Sequence, residues 1–207
     1  MAWAVEQKLL PEVPKFPKVQ VPKKKPQPIP AESFEKLLDK APNDLWRAYL
    51  LSGWWGALRL SEALWLEWEP SETVPWLDPA GNRIVRPAVF AKSDADQWVP
   101  LHPVLREALE ALPKIDKRVF PFRSWKTGGP LTRNGVTNRV LTLAKKAGVK
   151  LSMHWLRKGF GCRAAKVFGK TGAAMLHELM RHSSMQVTMD YYASVDDALQ
   201  DAIRKLK

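Results

Sequence analysis

The sequence predicts a mainly helical domain carrying one small antiparallel β-sheet, an α+β fold. Three observations predict it. Apolar residues recur at helical spacing through most of the chain after Pro30. Residues 68–100 replace that spacing with turn residues and short β-like runs. No internal repeat divides the chain, and 207 residues suit one full-sized domain with an appended arm.

The elements follow in order. Residues 1–30 hold seven prolines and the run Lys23-Lys24-Lys25. Proline opposes both helix and sheet ladders, so this segment reads as an extended basic arm or linker. Its start, Ala2 to Glu6, looks like the end of a helix. The folded domain is expected over 31–207. Phe34, Leu37 and Leu38 follow helical spacing, and Leu45, Ala48, Tyr49 and Leu51 resume it after Pro42-Asn43. Ser61 is placed to cap a helix running through Leu66. Pro70, Pro75, Pro79 and Gly81-Asn82 mark turns, with β-like runs at Arg83–Phe90 and Gln97–Val99 and Lys92 at the hairpin between them. Helices are expected at Pro103–Leu112, Arg133–Ala147, 154–168, 171–181 and 196–206. The second of these places Val136, Val140, Leu143 and Ala144 on one face and stops at Gly148.

Composition narrows the function. The formal net charge is +12 and the pI about 9.9. A domain this basic meets a polyanion, with nucleic acid ahead of an anionic membrane surface or a ribosome-like structural role. The single cysteine, Cys162, cannot form an internal disulfide, suits a reducing compartment and reads as a buried small hydrophobe. No signal peptide opens the chain and no run of about 18 apolar residues suggests a membrane span, so a cytoplasmic setting is expected. Most of the ten tryptophans are expected in the core or at interfaces.

Four segments carry candidate chemistry. Arg59 lies in Gly56–Glu62, with a carboxylate, Glu62, three residues on. Lys92 sits in its predicted turn. His154 and Arg157, three apart, share one helix face and can address a single phosphate. His182 precedes the pair Tyr191-Tyr192 across a short polar stretch. Each has an ordinary structural explanation alone: a surface salt bridge, a solvated lysine, an incidental pair, a core tyrosine pair.

The ordered set arginine, lysine, His-x-x-Arg, histidine, tyrosine resembles the tyrosine recombinases. The segments GALRLSE (56–62), HWLR (154–157) and RHSSMQVTMDYY (181–192) look like that family's principal boxes, and the resemblance runs from about Pro30 to the end. It is most similar to bacterial and phage-type integrases of mobile genetic elements. The resemblance implies the tyrosine recombinase catalytic-domain fold and site-specific DNA recombination through a 3′-phosphotyrosine intermediate.

The residues suit that chemistry. Attack on a phosphodiester adds negative charge to the non-bridging oxygens, which the guanidiniums of Arg59 and Arg157 can fork onto. A tyrosine hydroxyl, with a free pKa of about 10, is a poor nucleophile. His154, and less directly His182, suit the task of easing its ionisation. The resemblance gives His182 a hydrogen bond to the phosphate, and gives Lys92 the role of general acid to the leaving 5′-oxygen. Either Tyr191 or Tyr192 fits as nucleophile, and the run after the pair favours Tyr192. Glu62 is expected to pair with a catalytic cation. Arg133, Arg139, Lys158, Arg163 and Lys126 are expected to touch DNA phosphates. No cofactor and no metal are expected, because the arginines supply the charge and the intermediate stores the bond energy. The partner is double-stranded DNA. The resemblance further implies a homotetramer on DNA, a monomer without it, and a preceding DNA-binding domain of which residues 1–30 would be the linker. The rival readings are an inactive DNA-binding module, a type IB topoisomerase and a basic RNA-binding protein.

Overall fold

The computed structural model describes residues 2–14, 29–91, 94–124, 126–151, 153–182 and 184–192. The catalytic lysine candidate Lys92 and the expected helix at 196–206 lie outside them. The elements are helices α1 (Ala2–Glu6), α2 (Ala31–Leu38), α3 (Asp44–Trp55) and α4 (Leu60–Leu64), then strands β1 (Trp76–Asp78) and β2 (Arg83–Arg86). Helix α5 (Ala88–Ala91), strand β3 (Gln97–Pro100) and helices α6 (Pro103–Glu110), α7 (Arg133–Lys146), α8 (Met153–Phe168) and α9 (Ala173–Met180) follow. A 3₁₀ turn, Lys170–Gly172, separates α8 from α9, and residues 185–192 are helical again.

Local signals explain most boundaries. The Asn43 side chain accepts from Trp46 N at 3.1 Å and starts α3. Thr132 does the same for α7, accepting from Gly135 N at 3.1 Å. Pro103 opens α6, where a missing N–H costs nothing. Gly148, at φ +67°, follows α7 as expected.

Two expectations are corrected. The helix after Arg59 starts at Leu60, so Arg59 rather than Ser61 holds the cap position. The Glu62 carboxylate accepts from Arg59 N at 2.8 Å, and that bond fixes the first turn. The run Arg83–Phe90 is not one strand: β2 ends at Arg86, and Ala88–Ala91 turn helical. Pro87 cannot donate to a ladder, and the Asp96 carboxylate takes the Ala88 N–H at 2.8 Å instead.

The sheet is antiparallel in the order β1-β2-β3, with Leu77 opposite Ile84 and Ile84 opposite Val99. Those three side chains are buried. Helix α3 is the central element and packs on α6 and α8. Phe34 of α2 lies flat on Trp54 of α3, with ring centroids 4.1 Å apart, and Trp46 stacks on Phe122 at 4.1 Å. Truncating a buried ring of this kind costs about 3–5 kcal/mol. The tryptophans divide more evenly than expected. Trp46, Trp54 and Trp68 are buried, whereas Trp3, Trp65, Trp98 and Trp155 are exposed. A second, smaller core joins Ala57, Cys162, Ala165, Leu176, Met180, Tyr191 and Tyr192, so the tyrosine segment closes against α8 and α9.

Candidate active site

The site begins at a strained residue. Ala57 adopts φ +49°, a left-handed conformation that non-glycine residues rarely hold. The bend aims its carbonyl at two guanidiniums: Arg157 donates to it through Nη1, and Arg181 through Nη2 at 3.0 Å. Arg181 is itself left-handed, at φ +50°, where it terminates α9. Its carbonyl accepts from Arg59 Nη2 at 3.0 Å, and the adjacent Met180 carbonyl accepts from Arg157 Nη2. Main-chain oxygens from two distant segments therefore orient the arginines.

Among the described residues, Glu62 is the single carboxylate among four guanidiniums. Its oxygens lie 2.6 Å from Arg59 Nη1, 3.0 Å from Arg181 Nη2 and 3.4 Å from Arg86 Nε, and Arg157 adds its field. Burial alone would raise the Glu62 pKa, but Arg181, then Arg157 and Arg59, and the Arg59 N–H bring it down to about 2. The Arg157 pKa falls to about 9, through burial first and then Arg181 and Arg59. The cluster keeps an excess of positive charge that one carboxylate does not neutralise, and an anion would relieve it.

The cluster opens on a cleft of about 460 Å³, whose walls include Arg59, Arg133, Asn134, Thr137, His154 and Arg157. Arg157 is buried, whereas the Arg59 side chain is 37% exposed and reaches the opening. Two of the five N–H groups of Arg157 serve carbonyls. The His154 pKa is lowered by partial burial, then by Lys158, Arg157 and Arg59.

His182 adjoins the cluster. Burial, then Arg157, His177, Arg59 and Arg181, lower its pKa to about 4, which leaves a neutral imidazole at pH 7. Its Nδ1 lies 2.9 Å from Thr188 Oγ1, and its ring stacks on Tyr191 at 5.2 Å. The two tyrosines differ. Burial raises the Tyr191 pKa, while Arg157 and Arg59 pull it down. Tyr192 feels burial alone, and its hydroxyl is buried without a hydrogen-bond partner among the described residues. In this arrangement Tyr191, the alternative in the sequence reading, is the tyrosine coupled to the arginines.

Among the expected DNA contacts, Arg133 and Arg139 are exposed on α7, Lys126 is exposed in the 123–130 loop, and Lys158 is half-buried. Arg163 has partners within the fold. Its guanidinium lies 3.5 Å over the Trp54 ring and donates to the Trp54 carbonyl, so it is committed to packing α8 on α3. Sequence reasoning missed Arg181, Arg86, Thr188 and His177. Arg181 stood beside His182 in a segment already singled out, but nothing local showed it pairing with Glu62.

No family model and no curated protein matches the chain. Solved structures do. XerA recombinase superposes with a TM-score of 0.65 at 18% identity, covering 91% of this chain and 66% of that one. XerH site-specific recombinase, in a post-cleavage complex with a palindromic difH substrate, gives 0.61 at 18% identity, covering 88% and 54%. The catalytic domain of bacteriophage HP1 integrase gives 0.58 at 20% identity, covering 86% and 94%. The chain thus spans less than two thirds of the two recombinases and nearly all of the isolated integrase domain. It has the fold of the tyrosine recombinase catalytic domain, as its ordered motifs implied.

Proposed function

We propose that this chain is the catalytic part of a site-specific DNA recombinase of the integrase type. One observation carries the reading. Arg59, His154 and Arg157, from two segments about 100 residues apart, line one positively charged cleft, and His182 and the buried Tyr191 feel the field of the same arginines. A scissile phosphate at Arg59 and Arg157 would have its developing charge stabilised by guanidiniums already oriented before it arrives.

The nucleophile in this proposal is Tyr191. Its oxygen attacks phosphorus, a 3′-phosphotyrosine forms, and the bond to the deoxyribose 5′-oxygen breaks. His154, at the cleft wall, accepts or relays the phenolic proton. Lys92, by resemblance, protonates the leaving oxygen. Attack by a partner 5′-hydroxyl reverses the step and releases the tyrosine, so the bond energy is conserved and no cofactor is consumed. Arg133, Arg139, Lys158 and Lys126 add phosphate contacts. Double-stranded DNA is the partner, and a homotetramer on DNA is the assembly.

The test is covalent trapping. Sites selected from a random duplex pool are rebuilt with a nick beside the cleavage position, so that the leaving strand diffuses away. A protein–DNA adduct should accumulate, map to Tyr191, vanish in Tyr191→Phe and persist in Tyr192→Phe. An adduct on Tyr192 would refute the assignment of the nucleophile. Absence of any adduct on selected sites would refute the recombinase reading.

A further inference from the structure

Thr188 is fully buried in the 185–192 helix, and its hydroxyl touches two imidazoles. Oγ1 lies 2.9 Å from His182 Nδ1 and 3.1 Å from His177 Nδ1, and the two rings stand 6.4 Å apart. His177 belongs to α9, so the hydroxyl ties that helix to the segment bearing the tyrosines.

A hydroxyl has one proton to give. If it donates to one Nδ1, the other imidazole must donate its own Nδ1–H to Oγ1. Three arrangements satisfy both contacts, because Oγ1 can also accept from both rings: when Thr188 donates to His182 the neutral ring carries its proton on Nε2, and in the other two it carries it on Nδ1. With Nδ1 engaged by Thr188, only Nε2 is left to face a ligand. Arg157 and Arg59 attract an anion to this neighbourhood, and an anion accepts hydrogen bonds. A bare Nε2 lone pair would repel it, whereas Nε2–H would bind it.

We propose that Thr188 and His177 are positioning residues that hold His182 as the Nε2–H tautomer, with Thr188 donating to His182 Nδ1 and accepting from His177 Nδ1–H. The anion's identity as a DNA phosphate rests on the recombinase reading. The relay lets a neutral histidine donate to the phosphate without adding another charge to a crowded cationic cluster. It agrees with the low pKa of His182, since a hydrogen bond donated to Nδ1 favours the unprotonated ring. It also sets the Tyr191 ring, which stacks on His182.

The experiment is histidine-selective ¹⁵N NMR on the 207-residue chain in saturating inorganic phosphate, followed by adduct kinetics on the nicked DNA. His182 should show the Nε2–H tautomer and His177 the Nδ1–H tautomer. Thr188→Val, which keeps the shape, should lose the single tautomer at His182, and Thr188→Ser should retain it. Adduct formation should slow about ten- to a hundredfold in Thr188→Val, as loss of an orienting partner does for other imidazoles, with DNA affinity unchanged and activity kept in Thr188→Ser. His182 found as Nδ1–H in the wild-type chain would overturn the relay, even with normal adduct formation. The expected tautomers in a chain that forms no adduct would leave the relay standing and sink the recombinase reading instead.

Discussion

Replacing Glu62 with glutamine tests the cationic cluster. The carboxylate is 1% exposed and pairs with Arg59, Arg181 and Arg86. Its pKa falls from the ordinary 4.5 to about 2. At about 1.4 kcal/mol per pH unit, that difference corresponds to about 3 kcal/mol of folding stability. A lowered carboxyl pKa gives stability that is present above the unfolded value and lost as pH falls through the folded one. The window here is therefore pH 4.5 down to about 2. Glu62→Gln should cost about 3–5 kcal/mol at pH 7, because it leaves buried guanidiniums without their counter-charge. The gap between wild type and variant should hold steady above pH 5.5 and shrink by about 3 kcal/mol on reaching pH 2. Histidine effects fall in a higher window: the His182 pKa drops from 6.5 to about 4, so its contribution fades between those values in both proteins and cancels in the comparison. Urea unfolding across pH 2–8 provides the measurement. A gap below about 1 kcal/mol at pH 7, or one that does not narrow in acid, would refute the account of Glu62 as the counter-ion of the cluster.

Arg157→Lys should lose covalent adduct formation by at least about a hundredfold while binding DNA nearly as well as wild type, because a point charge cannot serve the Ala57 and Met180 carbonyls and a phosphate together. Near-normal cleavage would contradict this. Gly161→Ala would place its Cβ 2.5 Å from Tyr191 Cε1, so it should destabilise the fold by about 1–3 kcal/mol and impair adduct formation more than DNA binding. Equal losses in the two assays would show that the Tyr191 position is not the cause. Arg163→Lys should lower stability by about 1–2 kcal/mol without changing the salt dependence of DNA binding, since the guanidinium is spent on Trp54. A reduced slope of affinity against salt would restore Arg163 as a phosphate contact.

Much of the fold was legible because its signals are local. Asn43, Thr132, Gly148 and the apolar spacing of Val136, Val140, Leu143 and Ala144 act within a turn or two of the chain. The end of β2 was misread because apolar residues continue past Pro87, and only the distant Asp96 shows where the backbone turns. The arginines of the site were legible as types in an ordered pattern. Their geometry was not, because it depends on left-handed Ala57 and Arg181, residues that rarely take that conformation. The packing of Arg163 was hidden for a related reason: a basic residue beside a motif looks like a phosphate contact, and its aromatic neighbour Trp54 lies on another helix.

The oxygens that hold Arg59 and Arg157 include the main-chain carbonyls of residues 57, 180 and 181. A carbonyl is present whatever side chain the residue carries. A substitution at 57 or 180 therefore removes no bonding atom and can reach the site only by moving the backbone, which both buried side chains and the left-handed Ala57 hold in place. The same feature makes chemistry conditional on completed folding. A partly folded chain, such as one still leaving the ribosome, has the arginines but not the carbonyls that aim them, so under the proposed function it would have no means of cutting DNA before it could also rejoin it.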